Sequence, residues 1–201
     1  MRSNPEQLKN ANYYDWAYGA YEDSQSMDSH LRPVWEKALD FAEGTICELG
    51  CGAGQLARLA LDRGLEYIIG VDFSIEALKI ARRRCPDTTF YHEDIRDIVP
   101  DFFGTVMLIE VLEHIENDLD IMNRLFPNQL VVFSVPNLLC QGHVRAFDSL
   151  DDVLERYDMI LPGDTAEITK GNKTWWIVKG VRFSSGTPKQ ESPSSSPSWS
   201  D

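Results

Sequence analysis

The chain reads as an α/β protein with a doubly wound, mostly parallel sheet that ends in an antiparallel hairpin. Three observations predict this. Between Thr45 and Val135, short apolar runs alternate with amphipathic stretches of helical period, the pattern of a sheet wound through helices. The first run passes straight into Gly50-Cys51-Gly52-Ala53-Gly54, a strand–turn–helix corner. The last patterned stretch, Ala166–Thr169 and Thr174–Phe183 joined through Lys170-Gly171-Asn172-Lys173, has the form of a hairpin.

The elements follow in order. Residues 1–43 form a polar and aromatic prelude with Tyr13, Tyr14, Trp16, Tyr18 and Tyr21. It includes a helix over His30–Phe41, whose apolar side is Leu31, Val34, Trp35, Ala38, Leu39 and Phe41. Gly44 ends that helix. Thr45–Leu49 is the first strand and Gln55–Arg63 its helix, with Leu56, Leu59 and Ala60 at helical spacing. Tyr67–Val71 is the second strand. Ser74 caps the helix Ile75–Arg84, which carries Glu76 in its first turn and arginines in its last, as the helix dipole favours. Pro86 stops it. Thr88–His92, Thr105–Ile109 and Leu130–Val135 complete the parallel strands, with Asp118–Leu125 the helix before the last of them. Ser149–Arg156 is a short helix. From Ser184 to Asp201 the chain is rich in Ser and Pro with few apolar residues, the composition of a disordered tail. The expected division is thus 1–43 over the site, 44–183 as the domain, and 184–201 as tail.

With 201 residues, 43% of them hydrophobic, one sizeable core is within reach. No apolar run approaches the ~20 residues of a membrane span, and Met1-Arg-Ser-Asn-Pro-Glu6 lacks the apolar core of a signal peptide. Cys47, Cys51, Cys85 and Cys140 form no C-x-x-C pair, so reduced thiols and a cytoplasmic protein are expected. A formal net charge of −13 disfavours an extended grip on nucleic acid. The basic run Lys79–Arg84 reads as a solvated helix face.

Chemistry concentrates in the glycine corner. Glycines at alternate positions let the backbone turn tightly and approach a ligand, and the following helix offers unpaired N–H groups. The spacing is G-x-G-x-G, which departs from the G-x-G-x-x-G of dinucleotide folds. No Lys-Ser or Lys-Thr follows, which excludes a phosphate-gripping P-loop. Glu48 stands ahead of the turn, and Asp72 ends the next apolar strand, where a carboxylate can accept hydrogen bonds from a ribose diol.

Glu48-Leu-Gly-Cys-Gly-Ala-Gly54 followed by Gly70-Val-Asp72 resembles the class I S-adenosylmethionine-dependent methyltransferases, most clearly over residues 45–150. The resemblance implies a Rossmann-like sheet of seven strands with a terminal antiparallel pair. It implies that Gly50, Cys51, Gly52 and Gly54 pass under the methionine part of S-adenosylmethionine, that Asp72 holds the ribose, and that Glu48 orders the loop. Phe73, Asp94 and Ile95 would serve the nucleoside, with Asp94 on the adenine amino group. Read alone, Asp94 equally suits a cap on the turn Ile95–Ile98. One of Tyr13, Tyr14 or Tyr18 would touch the methionine end; packing of an aromatic helix onto the domain explains them as well.

Leu108-Ile-Glu-Val-Leu-Glu-His-Ile115 leaves the fourth strand at the edge where open α/β sheets bind ligands. Glu110, Glu113 and His114 fall at i, i+3 and i+4, so one helical turn would place them on one face. Such a set, with His143 after the fifth strand, suits a divalent cation. The pattern is similar to the ubiquinone-pathway O-methyltransferases and to the small-RNA 3′-end 2′-O-methyltransferases. That similarity implies Mg²⁺ or Mn²⁺ on Glu110, Glu113, His114 and His143. In the many class I members with Val-Leu-Glu-His and no metal, Glu110 lines the cofactor and His114 or His143 is the candidate base. The expected reaction is O-methylation of a small molecule, with or without metal. The alternatives are 2′-O-methylation of RNA 3′ ends and an inactive cofactor-binding subunit. Ser134, Arg145 and Phe147 lie at the same rim, as acceptor-pocket residues or as anchors, and Trp175-Trp176 is expected to pack in the hairpin.

Overall fold

The computed structural model describes residues 1–3, 9–20, 26–98 and 104–183. Tyr21 and the Ser/Pro-rich stretch beyond 183 lie outside the described residues.

Seven strands form one sheet in the order β4-β3-β2-β5-β6-β9-β8. They are β2 (Ile46–Leu49), β3 (Tyr67–Asp72), β4 (Thr89–His92), β5 (Thr105–Ile109), β6 (Leu130–Pro136), β8 (Ile160–Lys170) and β9 (Lys173–Arg182). The first five pair in parallel. β9 runs antiparallel to both β6 and β8. The helices are α1 (Ala11–Ala20), α2 (Arg32–Asp40), α3 (Gln55–Asp62), α4 (Ile75–Arg84), α5 (Asp118–Arg124) and α6 (Leu150–Arg156). A two-residue strand, β1 (Arg2–Ser3), pairs with β7 (Arg145–Ala146) in a small second sheet.

The period-2 alternation of the strands divides the core between the two faces. Ile46, Met107, Val132 and Ile177 face Val34, Ala38, Leu39, Leu56, Ala60 and Leu78 from α2, α3 and α4. Leu49, Val106, Leu108, Phe133 and Val178 face Met122, Val153 and Tyr157. Strand order reverses at β2, between β3 and β5, which opens a crevice beyond the carboxyl ends of these strands.

The capped helices match their signals. Ser74 Oγ accepts from Ala77 N at 3.2 Å, and Ser149 Oγ from Asp152 N at 3.1 Å. Three features differ from expectation. β8 begins at Ile160, six residues earlier than the hairpin pattern suggests, because a register shift at Pro162/Thr165 interrupts its alternation. The segment after β5 is a single 3-10 turn, Leu112–His114, preceded by Glu110 in a left-handed conformation, φ 59°. That backbone breaks the α-helical i, i+3, i+4 face expected for Glu110, Glu113 and His114. The β1–β7 pair has no sequence signal, since two residues carry no periodicity.

Candidate functional site

The glycine corner is held by its own neighbours. Gly50 N and Cys51 N both donate to Val71 O, at 2.8 and 3.0 Å. Gly52 sits at φ 51°, and a Cβ there would lie 2.6 Å from the Tyr18 hydroxyl oxygen. A Cβ on Gly50, φ 80°, would meet Val111 Cγ2 at 2.5 Å. Both positions therefore combine a left-handed backbone with no room for a side chain. Gly54 is also left-handed and precedes α3. Cys51 is buried, and burial raises its thiol well above the ordinary range. Glu48 is buried within β2, behind the loop.

Asp72 braces this corner. Its Oδ2 accepts from Gly52 N at 2.8 Å and its Oδ1 from Ser74 N at 2.9 Å. Burial raises its pKa, and these backbone donors pull it back. Each carboxylate oxygen can accept a second bond. Asp72, Phe73, Asp94 and Ile95 line an open cleft together with Tyr14, Tyr18, Gly50, Glu110, Val111 and His114. Asp94 is engaged twice: it accepts from Arg96 N at 2.9 Å and forms a two-pronged ion pair with the Arg96 guanidinium. The capping role and the cleft position thus coexist.

α1 lies across the cleft and touches each wall. The Tyr14 hydroxyl lies 2.9 Å from His114 Nδ1. The Asp15 carboxylate accepts from Ser74 Oγ at 2.6 Å and Glu76 N at 3.3 Å. Tyr18 stands over Gly52. Tyr13 instead packs edge-on against Tyr14 and tilts against Trp16, which is exposed.

At the other end of the cleft stands His114, and Glu113, His114 and His143 offer ligand atoms that all lie within 4.8 Å of one another. The two imidazoles meet edge to face at 4.6 Å. His114 Nδ1 is 3.0 Å from Gly142 O, and His143 Nδ1 is 2.7 Å from Leu138 O. A carbonyl only accepts, so each Nδ1 carries the proton and each Nε2 presents a lone pair. Glu113 is fully buried, and neither of its carboxyl oxygens has a hydrogen-bond partner. Burial raises its pKa, and the nearby Glu110 raises it further. Burial lowers His114 to about 3, with His143 adding to the effect, and also lowers His143.

Glu110, although near Glu113, is engaged by other donors. Ser134 Oγ donates to its Oε1 at 2.8 Å, and Trp175 Nε1 to its Oε2 at 2.8 Å. Of the four residues expected to converge, three do so and the fourth is held by other donors. Trp175 thus does more than pack in the hairpin, a role that its strand pattern gives no means of reading. Arg145 is an anchor: buried, it donates to the carbonyls of Leu112, Ile115 and Glu116, and pairs with Asp118 at 3.1 Å. Arg156 and Tyr157 complete the Asp118 network. Phe147 packs on Tyr157 at 6.0 Å within the core. The four cysteines are free thiols. Among the described residues no helix is long and apolar enough to cross a membrane.

Comparison with known proteins agrees with this architecture. Residues 46–126 match the model of a methyltransferase domain. Trans-aconitate 2-methyltransferase of Acidovorax sp. (strain JS42) is 31% identical over 137 residues, 64% of this chain and 52% of its own length. The ubiquinone biosynthesis O-methyltransferase of Neisseria meningitidis serogroup C (strain 053442) is 27% identical over 118 residues, 49% of this chain and 50% of its own length. The chain spans about half the length of these two relatives. Among solved structures, the N-methyltransferase NodS of Bradyrhizobium japonicum WM9, in complex with S-adenosylhomocysteine, superposes with a TM-score of 0.69 at 16% identity, over 87% of this chain and 99% of its own. Residues 46–126 of this chain are thus similar to a methyltransferase domain, and the fold is the Rossmann-like one that solved methyltransferases share.

Proposed function

We propose that the protein transfers the methyl group of S-adenosylmethionine to an oxygen of a small-molecule acceptor. The observation that carries the reading is one cleft lined by Gly50 of the left-handed glycine loop, buried Asp72 and His114, with Glu113 and His143 grouped around that histidine. On this reading Gly50, Cys51, Gly52 and Gly54 underlie the methionine part of the cofactor, with Glu48 behind them. Asp72 takes the ribose hydroxyls on its remaining acceptor sites. Phe73 and Ile95 flank the adenine, and Asp94 shares its carboxylate between Arg96 and the adenine amino group. Glu110 borders the methionine end.

A sulfonium is an activated methyl donor, so the protein's task is to align the acceptor in line and accommodate its proton. A base works best when its pKa is near the operating pH. His114, lowered to about 3, is a weak base, and its Nε2 is better suited to coordinate than to take a proton. Where no ion is bound, His143, edge to face with it at 4.6 Å, is the candidate base. The donor set also fits a divalent ion, because Glu113 supplies two buried oxygens without partners and both imidazoles present Nε2 lone pairs. When bound, such an ion would lower the pKa of an acceptor hydroxyl and orient it. Oxygen is favoured over nitrogen on this donor set, and the similarity to an O-methyltransferase supports it. Four free thiols accord with a reducing, cytoplasmic setting.

The test is label transfer from methyl-labelled S-adenosylmethionine to a panel of phenols, catechols, amines, carboxylates and RNA 3′ ends. Methyl ethers of small molecules are expected. Turnover only on amines would overturn the oxygen assignment, and turnover on RNA ends with a steep salt dependence would move the acceptor to nucleic acid. Tight cofactor binding without turnover would make the chain a cofactor-binding subunit.

A further inference from the structure

Resting on that reading of the acceptor end, we infer that Glu113, His114 and His143 form a three-residue centre for a first-row transition metal, without Glu110 and selective against Mg²⁺. The first argument is hydrogen accounting. His114 and His143 each commit Nδ1–H to a backbone carbonyl, Gly142 O at 3.0 Å and Leu138 O at 2.7 Å. This is the outer arrangement that fixes the tautomer of metal-bound histidines and leaves Nε2 as the ligand atom.

Two features keep that arrangement in place. Gly142 occupies φ 95°, and a Cβ there would lie 3.3 Å from His114 Nδ1 and 3.4 Å from the Tyr14 hydroxyl. A side chain would therefore disturb the carbonyl and the phenol that together hold His114. The Arg145 guanidinium ties down the carbonyls of Leu112, Ile115 and Glu116 on either side of Glu113 and His114. Val144 N donates to Glu113 O at 2.7 Å and joins that turn to the His143 segment.

The second argument is the orphaned carboxyl. Glu113 is fully buried with no partner on either oxygen. Its Oε1 lies 3.8 Å from His114 Nε2, outside hydrogen-bond range. Buried polar groups without partners are costly and uncommon, and an ion shared with the imidazoles would satisfy this one.

The third argument concerns Glu110. Its two oxygens already receive Ser134 Oγ and Trp175 Nε1, both at 2.8 Å. Those bonds fix its carboxylate in a position from which it does not join the converging ligand atoms of Glu113, His114 and His143, so it stays outside the set. The metal class follows from the remaining donors. Two imidazoles and one carboxylate suit Mn²⁺, Fe²⁺, Co²⁺ or Zn²⁺, whereas Mg²⁺ demands oxygen ligands in near-ideal octahedral geometry. Three protein ligands leave coordination positions for acceptor oxygens.

The experiment uses the whole chain, stripped of metal, and needs no acceptor. Mg²⁺, Mn²⁺, Co²⁺ and Zn²⁺ are titrated separately by calorimetry, and the Co²⁺ complex is followed by its visible absorption. S-adenosylhomocysteine binding is measured alongside. Co²⁺ and Zn²⁺ are expected to bind at least about 100-fold tighter than Mg²⁺, following the ligand preferences above. Glu110→Gln should leave Co²⁺ affinity within about twofold and its spectrum unchanged, whereas Glu113→Gln and His143→Ala should each weaken it by at least about tenfold. Should Glu113→Gln misfold, His143→Ala carries the comparison alone, with thermal melting as the folding control. Equal losses from Glu110→Gln and Glu113→Gln would establish a four-ligand set and overturn the inference. Mg²⁺ binding as tight as Co²⁺ would overturn the selectivity. Absence of ion binding in protein that binds S-adenosylhomocysteine would remove the centre and leave the methyltransferase reading standing. Ion binding without S-adenosylhomocysteine binding would do the reverse.

Discussion

At the cofactor end of the cleft, Gly52 and the Asp72 carboxylate that braces it stand 20 positions apart, and the groups that meet are mostly backbone. At the acceptor end, Tyr14 reaches His114 across 100 positions, and Trp175 reaches Glu110 across 65. The first region satisfies its polar groups internally and offers a preformed surface. The second leaves a buried carboxyl without partners and depends on side chains delivered by α1, β6, β9 and the segment before β7. On the proposed function, the core of the cofactor site would come from one strand–turn–helix–strand unit, whereas acceptor chemistry would need the assembled domain.

The largest expected effect sharpens that contrast. Arg145→Ala removes a buried guanidinium from Asp118 and from three carbonyls of the acceptor turn. It should cost about 3–5 kcal/mol in urea unfolding, while the protein that remains folded keeps its affinity for S-adenosylhomocysteine within a few-fold. A matching loss of cofactor affinity would show the two ends to be one unit.

Gly52→Val attacks the other end. A β-branched residue at φ 51°, with its Cβ driven against Tyr18, should lower S-adenosylhomocysteine affinity by about 100-fold, or about 2.7 kcal/mol. Retained affinity would break the assignment of the loop.

Trp175→Phe keeps the ring and deletes one bond to buried Glu110. It should cost about 1–2 kcal/mol of stability and leave cofactor affinity within twofold. The smallest effect is kinetic. Burial raises all four thiols, Cys47 to about 12, but Cys140 is exposed whereas Cys47, Cys51 and Cys85 are buried. One equivalent of a thiol alkylator at neutral pH should therefore label Cys140 first, as peptide mapping would read. First labelling at Cys51 would mean that the glycine loop opens in solution.

The same contrast explains what the sequence discloses. Strands, helices and the glycine corner are legible because their signals are local: periods of 2 and 3.6, a serine cap at Ser74, glycines at fixed spacing. Glu113, His114 and His143 are legible as residue types that can bind a metal, on loops at one edge of the sheet. The displacement of Glu110 is not, since it depends on a left-handed residue and on an indole from the last strand, and neither position carries a marker. Nor does the spacing of Arg145 or Tyr14 say which carbonyl or imidazole it will meet. A two-residue strand such as β1 is invisible to periodicity altogether.

The most direct measurement of the central claim is calorimetric titration of S-adenosylhomocysteine into the wild-type protein, Asp72→Ala and Glu113→Gln. One-to-one binding, weakened at least about tenfold by Asp72→Ala through lost ribose bonds and loop bracing, and unchanged within about twofold by Glu113→Gln, is the predicted result. No binding to the wild-type protein, or equal weakening by the two substitutions, would contradict a cofactor site built independently of the acceptor end.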